Sequence, residues 1–469
     1  MQVTNTGTYD IFDAMYPEYK CRKKVRLIEF FGGIGSQAKA LERLGVEFEP
    51  WKLVEIDKYA VESYNAIHGT GFMPSDITQL HGEDLSATSP DAFDYILTWS
   101  FPCQSLSVSG LRKGMSEGSG TTSSLIWEVR RILAEMNQLR LGNPDEYCLP
   151  KILLMENVPQ VIDAKNVKDL NKMRDFLESL GYSNHLAILK GNDYGVPQAR
   201  HRAFMVSILG DETNKVYSYA FPQPCGCKWA MQDCLTGSFD AKRYVRNSVA
   251  HAVCEENADF NRNAVQRLNS IKLCGRLNGH QAGGVFDPCG VSPTLTAGGA
   301  SGVNVLWREK TDLMDSRDWE NFVRLSNGPD VDVDYIEDPE SAVDYFFNVE
   351  ESQPDYEKQA DYLWEPVVRG GVEYSIRTLV PQESFLIMDF DASDAERAGA
   401  VTSPHQLHKQ AGNSIVVNCI VALLGQFFEG KEKVYLDIAE TAPSQRVRFS
   451  AVQNGEQPDI IKKDGSYLS

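Results

Sequence analysis

The stretch Glu29-Phe30-Phe31-Gly32-Gly33-Ile34-Gly35 decides how this chain folds. It closes the apolar run Arg26 to Phe31, which reads as a strand, and opens directly into Ser36 to Leu44, whose spacing reads as a helix ended by Gly45. Glycines at a strand-to-helix junction let the backbone turn sharply and approach a ligand closely, as in nucleotide-binding α/β folds. The spacing is not GxGxxG, so a tight turn with no ligand remains open on this stretch alone.

Outward from the turn the same alternation repeats. Trp51 to Ile56, Tyr95 to Trp99, Ile152 to Met155 and Ala203 to Ile208 read as strands, and Tyr59 to Ile67, Leu125 to Leu139 and Leu170 to Leu180 as helices. This predicts an α/β fold: a doubly wound, mostly parallel, Rossmann-like sheet with helices on both faces. After Gly210 the regularity stops, and a stretch rich in Gly, Pro, Asn and aromatics runs to about Gly371. Helical patterning returns from Tyr374 to Phe428, where Ile415 to Phe428 reads as a buried helix packing back on the first domain. The expected organisation is a catalytic and cofactor domain over 1–210, a second, irregular domain over 211–375, a return segment over 376–430 and a peripheral polar tail over 431–469.

The chain has 469 residues, 42% of them hydrophobic and 24% charged, enough to bury a large core and unlike a disordered chain. No apolar run reaches membrane-spanning length, and the start lacks the order of a secretory signal, so a soluble cytoplasmic protein is expected. Ten cysteines are scattered and expected reduced; the tightest cluster, Cys225, Cys227 and Cys234, has no CxxC pair or nearby histidine to make a metal site. A net charge of -19 argues against a polyanionic partner, but residues 311–370 carry 17 acidic and 4 basic side chains and so hold most of it. Residues 211–310 carry 11 basic and 9 acidic side chains, which permits a local nucleic-acid surface.

Twenty residues beyond Gly35, Glu55-Ile56-Asp57 closes the second strand, where a carboxylate can accept two hydrogen bonds from a ribose diol. Asp76-Ile77 follows near the expected end of a third strand. With the glycine turn, these suggest a nucleoside-containing cofactor, either a dinucleotide or S-adenosylmethionine. Ser100-Phe101-Pro102-Cys103-Gln104-Ser105-Leu106-Ser107 then leaves the strand ending at Trp99, at the carboxyl edge where α/β active sites form. A lone cysteine is more often a small core residue. Its partners change the balance: Glu156-Asn157-Val158 closes a strand of the same polarity, and in Gln198-Ala199-Arg200-His201-Arg202 alternation puts Gln198, Arg200 and Arg202 on one face. A thiolate, a carboxylate and paired guanidiniums at one sheet edge describe nucleophilic attack with acid assistance and anion stabilisation.

In chain order this constellation resembles the DNA cytosine-5 methyltransferases of bacterial or phage type. The family's cofactor loop is similar to Phe31-Gly32-Gly33-Ile34-Gly35, its ribose acid to Glu55, its adenine-contacting pair to Asp76-Ile77 and its PCQ motif to Pro102-Cys103-Gln104. ENV matches Glu156-Asn157-Val158, QxRxR matches Gln198 to Arg202, and the late GNS matches Gly412-Asn413-Ser414. Arg377 to Glu383 is similar to the segment that orders the family's recognition domain, and Ser292 to Ala297 to a threonine-leucine element inside it. Glu29 stands where Asp is more usual, Ser36 replaces a glycine, and Asp312 to Asp361 is an acidic insertion outside the family pattern.

The resemblance implies S-adenosylmethionine held by Phe31, Gly33, Ile34, Gly35, Glu55, Ile56, Asp76, Ile77, Pro102, Leu125, Asn413 and Ser414. It implies that the Cys103 thiolate adds to cytosine C6 so that C5 takes the methyl group, that Glu156 bonds N3 and the exocyclic amine, and that Arg202, helped by Arg200, binds O2. The target base must leave the duplex. Double-stranded DNA is then the partner, met by a monomer through Gln104, Ser107, Ser109, Gln198, Thr294 and Leu295, with 211–375 reading the sequence. The acidic segment is expected to lie away from the DNA cleft. An RNA cytosine-5 methyltransferase and a catalytically idle DNA-binding regulator are the competing readings; a nicotinamide dehydrogenase would have no use for PCQ and ENV.

Overall fold

The computed structural model describes residues 16–106, 114–236, 265, 284–296, 303–307, 367–369 and 372–446. Six strands form the main sheet: β1 (Lys24–Phe30), β2 (Phe48–Val54), β3 (Phe93–Trp99), β4 (Ile152–Asn157), β5 (Tyr182–Lys190) and β6 (His201–Leu209), in the order β2-β1-β3-β4-β6-β5. The first four are parallel, and β6 runs antiparallel to both β4 and β5. Their apolar runs are continuous because both faces are covered. Successive residues therefore enter opposite cores: Leu27, Ile96 and Leu154 join one, and Ile28, Leu97 and Leu153 the other.

Helices α1 (Ser36–Leu44) and α2 (Lys58–His68) pack on the first face, and α3 (Ile126–Gly142) and α4 (Val167–Ser179) on the second. Gly45 ends α1 at φ 60°, a left-handed cap that glycine takes without strain. Five more helices complete the first face: α5 (Pro381–Ile387), α6 (Ala392–Gly399), α7 (Pro404–Asn413), α8 (Val417–Gly425) and α9 (Val434–Glu440). Every residue of α8 is buried, as its unbroken apolar run requires.

The structure departs from the sequence reading in several places. Strand β2 stops at Val54, so Glu55 and Ile56 belong to the following turn. Asp76 ends no strand; it is exposed and caps a short 3-10 turn, accepting the Thr78 N–H at 2.9 Å. The stretch from Tyr374 begins as a strand: β10 (Val372–Thr378), with alternating β-branched and aromatic residues, pairs with β8 (Val303–Trp307) and β9 (Val367–Arg369), and β7 (Gly284–Phe286) joins β8. The described part of the C-terminal segment, 431–446, is no peripheral tail. Val434, Tyr435 and Ile438 are buried, and Arg446 is 1% exposed.

Residues 211–236 likewise belong to the catalytic body. Tyr217, Tyr219, Met231 and Cys234 lie in its core, Tyr219 donates to the Leu423 carbonyl (2.8 Å) and Trp229 to that of Ala439 (2.8 Å). After Thr236 the described residues stay against this body, with Phe286, Leu295, Val303 and Val305 in the same core, and the stretch closes at Arg377. There the fully buried Arg377 and Glu383 form a two-pronged ion pair (2.7 and 2.8 Å), while Glu383 also accepts the Thr236 N–H at 2.7 Å. Most of the recognition segment between them, and the acidic stretch, fall outside the described residues.

Candidate active site

Parallel pairing places the ends of β1, β2, β3 and β4 at one edge, since Phe30 pairs with Val54 and Trp99, and Trp99 with Met155. Because β6 is reversed, its first residues meet the same edge: Asn157 pairs with Ala203, next to Arg202. Opposite strand directions thus bring a terminal carboxylate and an initial arginine together.

The glycine turn is wound left-handed at three of five positions: Phe31 (φ 56°), Gly33 (57°) and Gly35 (81°). Phe31 is the unusual one, a non-glycine residue in a region that ligand sites favour. A Cβ on Gly32 would lie 2.5 Å from Leu53 Cδ1, whereas one on Gly33 would meet nothing within 4 Å. The turn is packed beneath and open above, which leaves room for a bound nucleoside. Glu55 faces it, accepting the N–H groups of Gly33 (3.1 Å) and Asp57 (2.9 Å). Burial raises its carboxyl above the usual range, against those two hydrogen bonds. Beside it Ile56 is 69% exposed, an apolar surface at the cradle's rim. These features fit the S-adenosyl group: close backbone, a ribose acid and a flat apolar wall.

The GNS segment reaches the cradle from α7. Lys409 pairs with Asp57 at 2.7 Å, and Gln410 donates to the Tyr59 carbonyl at 2.9 Å. Ser36, the residue in place of a glycine, accepts the Ile415 N–H at 3.1 Å. Asn413 is exposed and Ser414 buried. Leu125, half-buried, starts α3, and Ile77 is buried behind Asp76.

Cys103 is half-buried on a loop pinned at three carbonyls. Asn157 donates to that of Phe101 (2.9 Å), the Ser123 hydroxyl to that of Pro102 (2.6 Å) and the Leu106 N–H to that of Cys103 itself (2.9 Å). Ser123 also accepts the Ser105 N–H at 3.3 Å. The sequence reading missed Ser123 and gave Asn157 no role of its own; only the ENV motif hinted at the second. Burial pushes the Cys103 thiol up, Arg202 and Arg200 pull it back, and Glu156 opposes them. Arg202 is bound to Glu156, Nε to Oε1 at 2.8 Å.

The rest of the arginine motif plays a different part from the one expected. Strand β6 starts at His201, so Gln198 and Arg200 precede it and the alternation does not hold. Gln198 is fully enclosed and reaches the Ile387 carbonyl and Met388 sulfur, so it presents no face to DNA. Arg200, 4% exposed, donates to the carbonyls of Leu295, Gly412 and Ser414 at 2.8 to 2.9 Å. Burial and the like charge of Arg202 disfavour its cation, and three acceptors hold it in place. These contacts make it an internal strut. Leu295 is buried and the Thr294 hydroxyl donates to Ala199 (2.6 Å), so both tie the recognition segment to the arginine strand. Gln104 is exposed at the turn after the nucleophile; Ser107 and Ser109 lie outside the described residues. Among the described residues no three metal-ligating side chains gather, all cysteines are free thiols, and no helix is long and apolar enough to cross a membrane.

Known proteins resemble this chain in sequence and in fold. The family profile of C-5 cytosine-specific DNA methylase matches residues 25–429. Orphan methyltransferase M.SssI of Spiroplasma monobiae is 30% identical over 331 residues, covering 60% of this chain and 81% of that protein. Orphan methyltransferase M.SPRI of Bacillus phage SPR is 28% identical over 452 residues, covering 85% and 96%. Among solved structures, Dnmt2 methyltransferase of S. pombe shares the fold, with a TM-score of 0.52 at 18% identity over 86% of this chain and 98% of that one. Site geometry, motif order and the matched length lead to one conclusion: the chain belongs to the C-5 cytosine-specific DNA methylase family and is an S-adenosylmethionine-dependent DNA cytosine-5 methyltransferase.

Proposed function

We propose that the protein methylates cytosine at C5 within one short sequence of duplex DNA, through covalent attack by Cys103 on a base turned out of the helix. The convergence of Cys103, Glu156 and Arg202 beside the glycine cradle carries this reading. Cytosine C6 resists nucleophiles because the ring is electron-rich. Glu156, bonded to N3 and the exocyclic amine, and Arg202, at O2, would draw charge from the ring as the thiolate adds. Their mutual ion pair holds both side chains at the position where that charge develops, before any base arrives. When bound, S-adenosylmethionine supplies an electrophilic methyl group. Phe31, Gly33, Ile34, Gly35, Glu55 and Ile56 would hold it, with Leu125, Asn413 and Ser414 at its flank; Asp76, turned toward its own 3-10 turn, would reach it from the rim. A base then removes the C5 proton as the C6–sulfur bond breaks, so that Cys103 leaves as thiolate and the methylated base is freed.

Recognition is assigned to residues 237–376, anchored by the Arg377–Glu383–Thr236 clasp and the Arg200 strut. The strut spans from the recognition segment to the GNS segment at the cofactor rim, so seating DNA and seating cofactor share one rigid element. The protein would act as a monomer in the cytoplasm of a bacterial or phage-infected cell, in keeping with relatives from Spiroplasma and Bacillus phage.

Transfer of labelled methyl to unmethylated duplex DNA, mapped at base resolution for wild type and Cys103→Ala, tests this. Label at cytosine C5 in one motif, absent with the variant, is expected. Label in RNA alone would move the substrate, and tight DNA binding with no transfer to either would mark an idle regulator.

A further inference from the structure

Underneath the glycine turn, His68 at the end of α2 is enclosed, its side chain 1% exposed. Its Nε2 lies 3.1 Å from the Ile34 carbonyl and its Nδ1 2.8 Å from Glu42 Oε1 on α1. A carbonyl and a carboxylate both only accept, so the ring satisfies both partners only with a proton on each nitrogen. The contact is close: a Cβ on Gly35 would lie 2.4 Å from His68 Nε2. The turn is therefore gripped on two sides, at the Gly33 N–H by Glu55 and at the Ile34 carbonyl by His68. Losing the Nε2 proton would turn a lone pair toward that carbonyl oxygen.

We propose that His68 is a positioning residue of the cofactor loop, donating from Nε2 to Ile34 and from Nδ1 to Glu42, so that cofactor affinity depends on its two hydrogen bonds. Glu42 is held below the usual carboxylate range by its bonds to His68 and Lys39, despite burial. Lys39, 3.4 Å from Glu42, is neutralised by Asp391 and Asp394 of the segment packed against α2. Tyr64 lies against the ring, centroids 4.5 Å apart and planes tilted by 50°, and donates to Glu29, whose carboxyl is the other titratable group beneath the turn. With both ring nitrogens engaged, His68 ties the turn to α1 and α2.

The test is calorimetric binding of S-adenosylhomocysteine to the full chain at neutral pH, for wild type, His68→Phe, His68→Gln and Glu29→Gln, with the urea midpoint of each read alongside. His68→Phe, which fills the space and donates nothing, should bind about tenfold more weakly; His68→Gln, whose amide still donates one hydrogen bond, should recover part of that loss; Glu29→Gln should bind as wild type. Wild-type affinity in His68→Phe overturns the proposal. Should that variant fail to fold, His68→Gln decides, and wild-type affinity there overturns it. The inference rests on the cofactor-loop reading, and a chain that does not bind S-adenosylhomocysteine would overturn both; binding indifferent to His68 overturns this one alone.

Discussion

Arg202 and Glu156 form an ion pair of 2.8 Å with side chains 14% and 10% exposed, one from the first residues of β6 and the other from the last residues of β4, which runs antiparallel to it. Neither strand alone could place both charges. The pair lies beside Cys103 and sets its electrostatics, since Arg202 favours the thiolate and Glu156 the thiol.

Replacing Cys103 with Ala should abolish methyl transfer, a loss of about a thousandfold or more, while binding of S-adenosylhomocysteine stays unchanged. Filter-bound label and calorimetry on the same preparation check it. Retained transfer would place the nucleophile elsewhere.

Because burial raises the Cys103 thiol, its alkylation by iodoacetamide should be slow near neutrality and accelerate as pH climbs past the ordinary thiol range. Arg202→Ala removes the strongest pull toward thiolate and should slow alkylation further; Glu156→Gln should speed it. The reverse order would contradict the electrostatic assignment.

Glu29 is 1% exposed and burial pushes its carboxyl up to about 7, with the Tyr64 hydroxyl bonded to Oε2 at 2.5 Å opposing the shift. The native state then holds a proton that the unfolded chain releases near the ordinary carboxyl value of 4.5, so this group's stabilising share is full at acid pH and is lost as pH rises toward 7. Glu29→Gln should raise stability by roughly 1–3 kcal/mol above neutrality and change little at low pH. Urea unfolding at two pH values reads this directly.

Arg446 donates to Asp389, to the Gly195 carbonyl (2.6 Å) and to that of Thr441 (3.0 Å), and Asp389 also takes Arg43 of α1 at 2.7 Å. Asp389 adopts φ 68° to do so. Arg446→Ala would strand a buried carboxylate between fewer cations and should cost about 3–5 kcal/mol. A chain cut at residue 430 should not fold, although the family match itself ends at 429. Chemical denaturation of the first and solubility of the second are the measurements.

Gly35→Ala would force a side chain into φ 81° and drive its Cβ into His68 and Tyr64. The backbone term alone is about 1–2 kcal/mol, and affinity for S-adenosylhomocysteine should drop at least about tenfold. Unaltered affinity would mean that the turn does not hold the cofactor.

Local signals were enough for the first half of this protein. The run into Gly32-Gly33-Ile34-Gly35, the alternation of apolar strands with helical spacing, and the acids and thiol after strand ends all express neighbour-to-neighbour chemistry, which periodicity records. They determined an α/β sheet and put Cys103, Glu156 and the cofactor turn at its carboxyl edge. Direction and burial were decided only in three dimensions. Whether β6 runs with or against β4 depends on the unread strand β5 and on which pairing satisfies its backbone; that reversal delivers Arg202 to the site and withdraws Gln198 and Arg200 from it. The polar look of the last segment hid Arg446, because a charge is cheap to bury only when distant charges meet it, and Asp389 and Arg43 are brought there by folding and not by spacing.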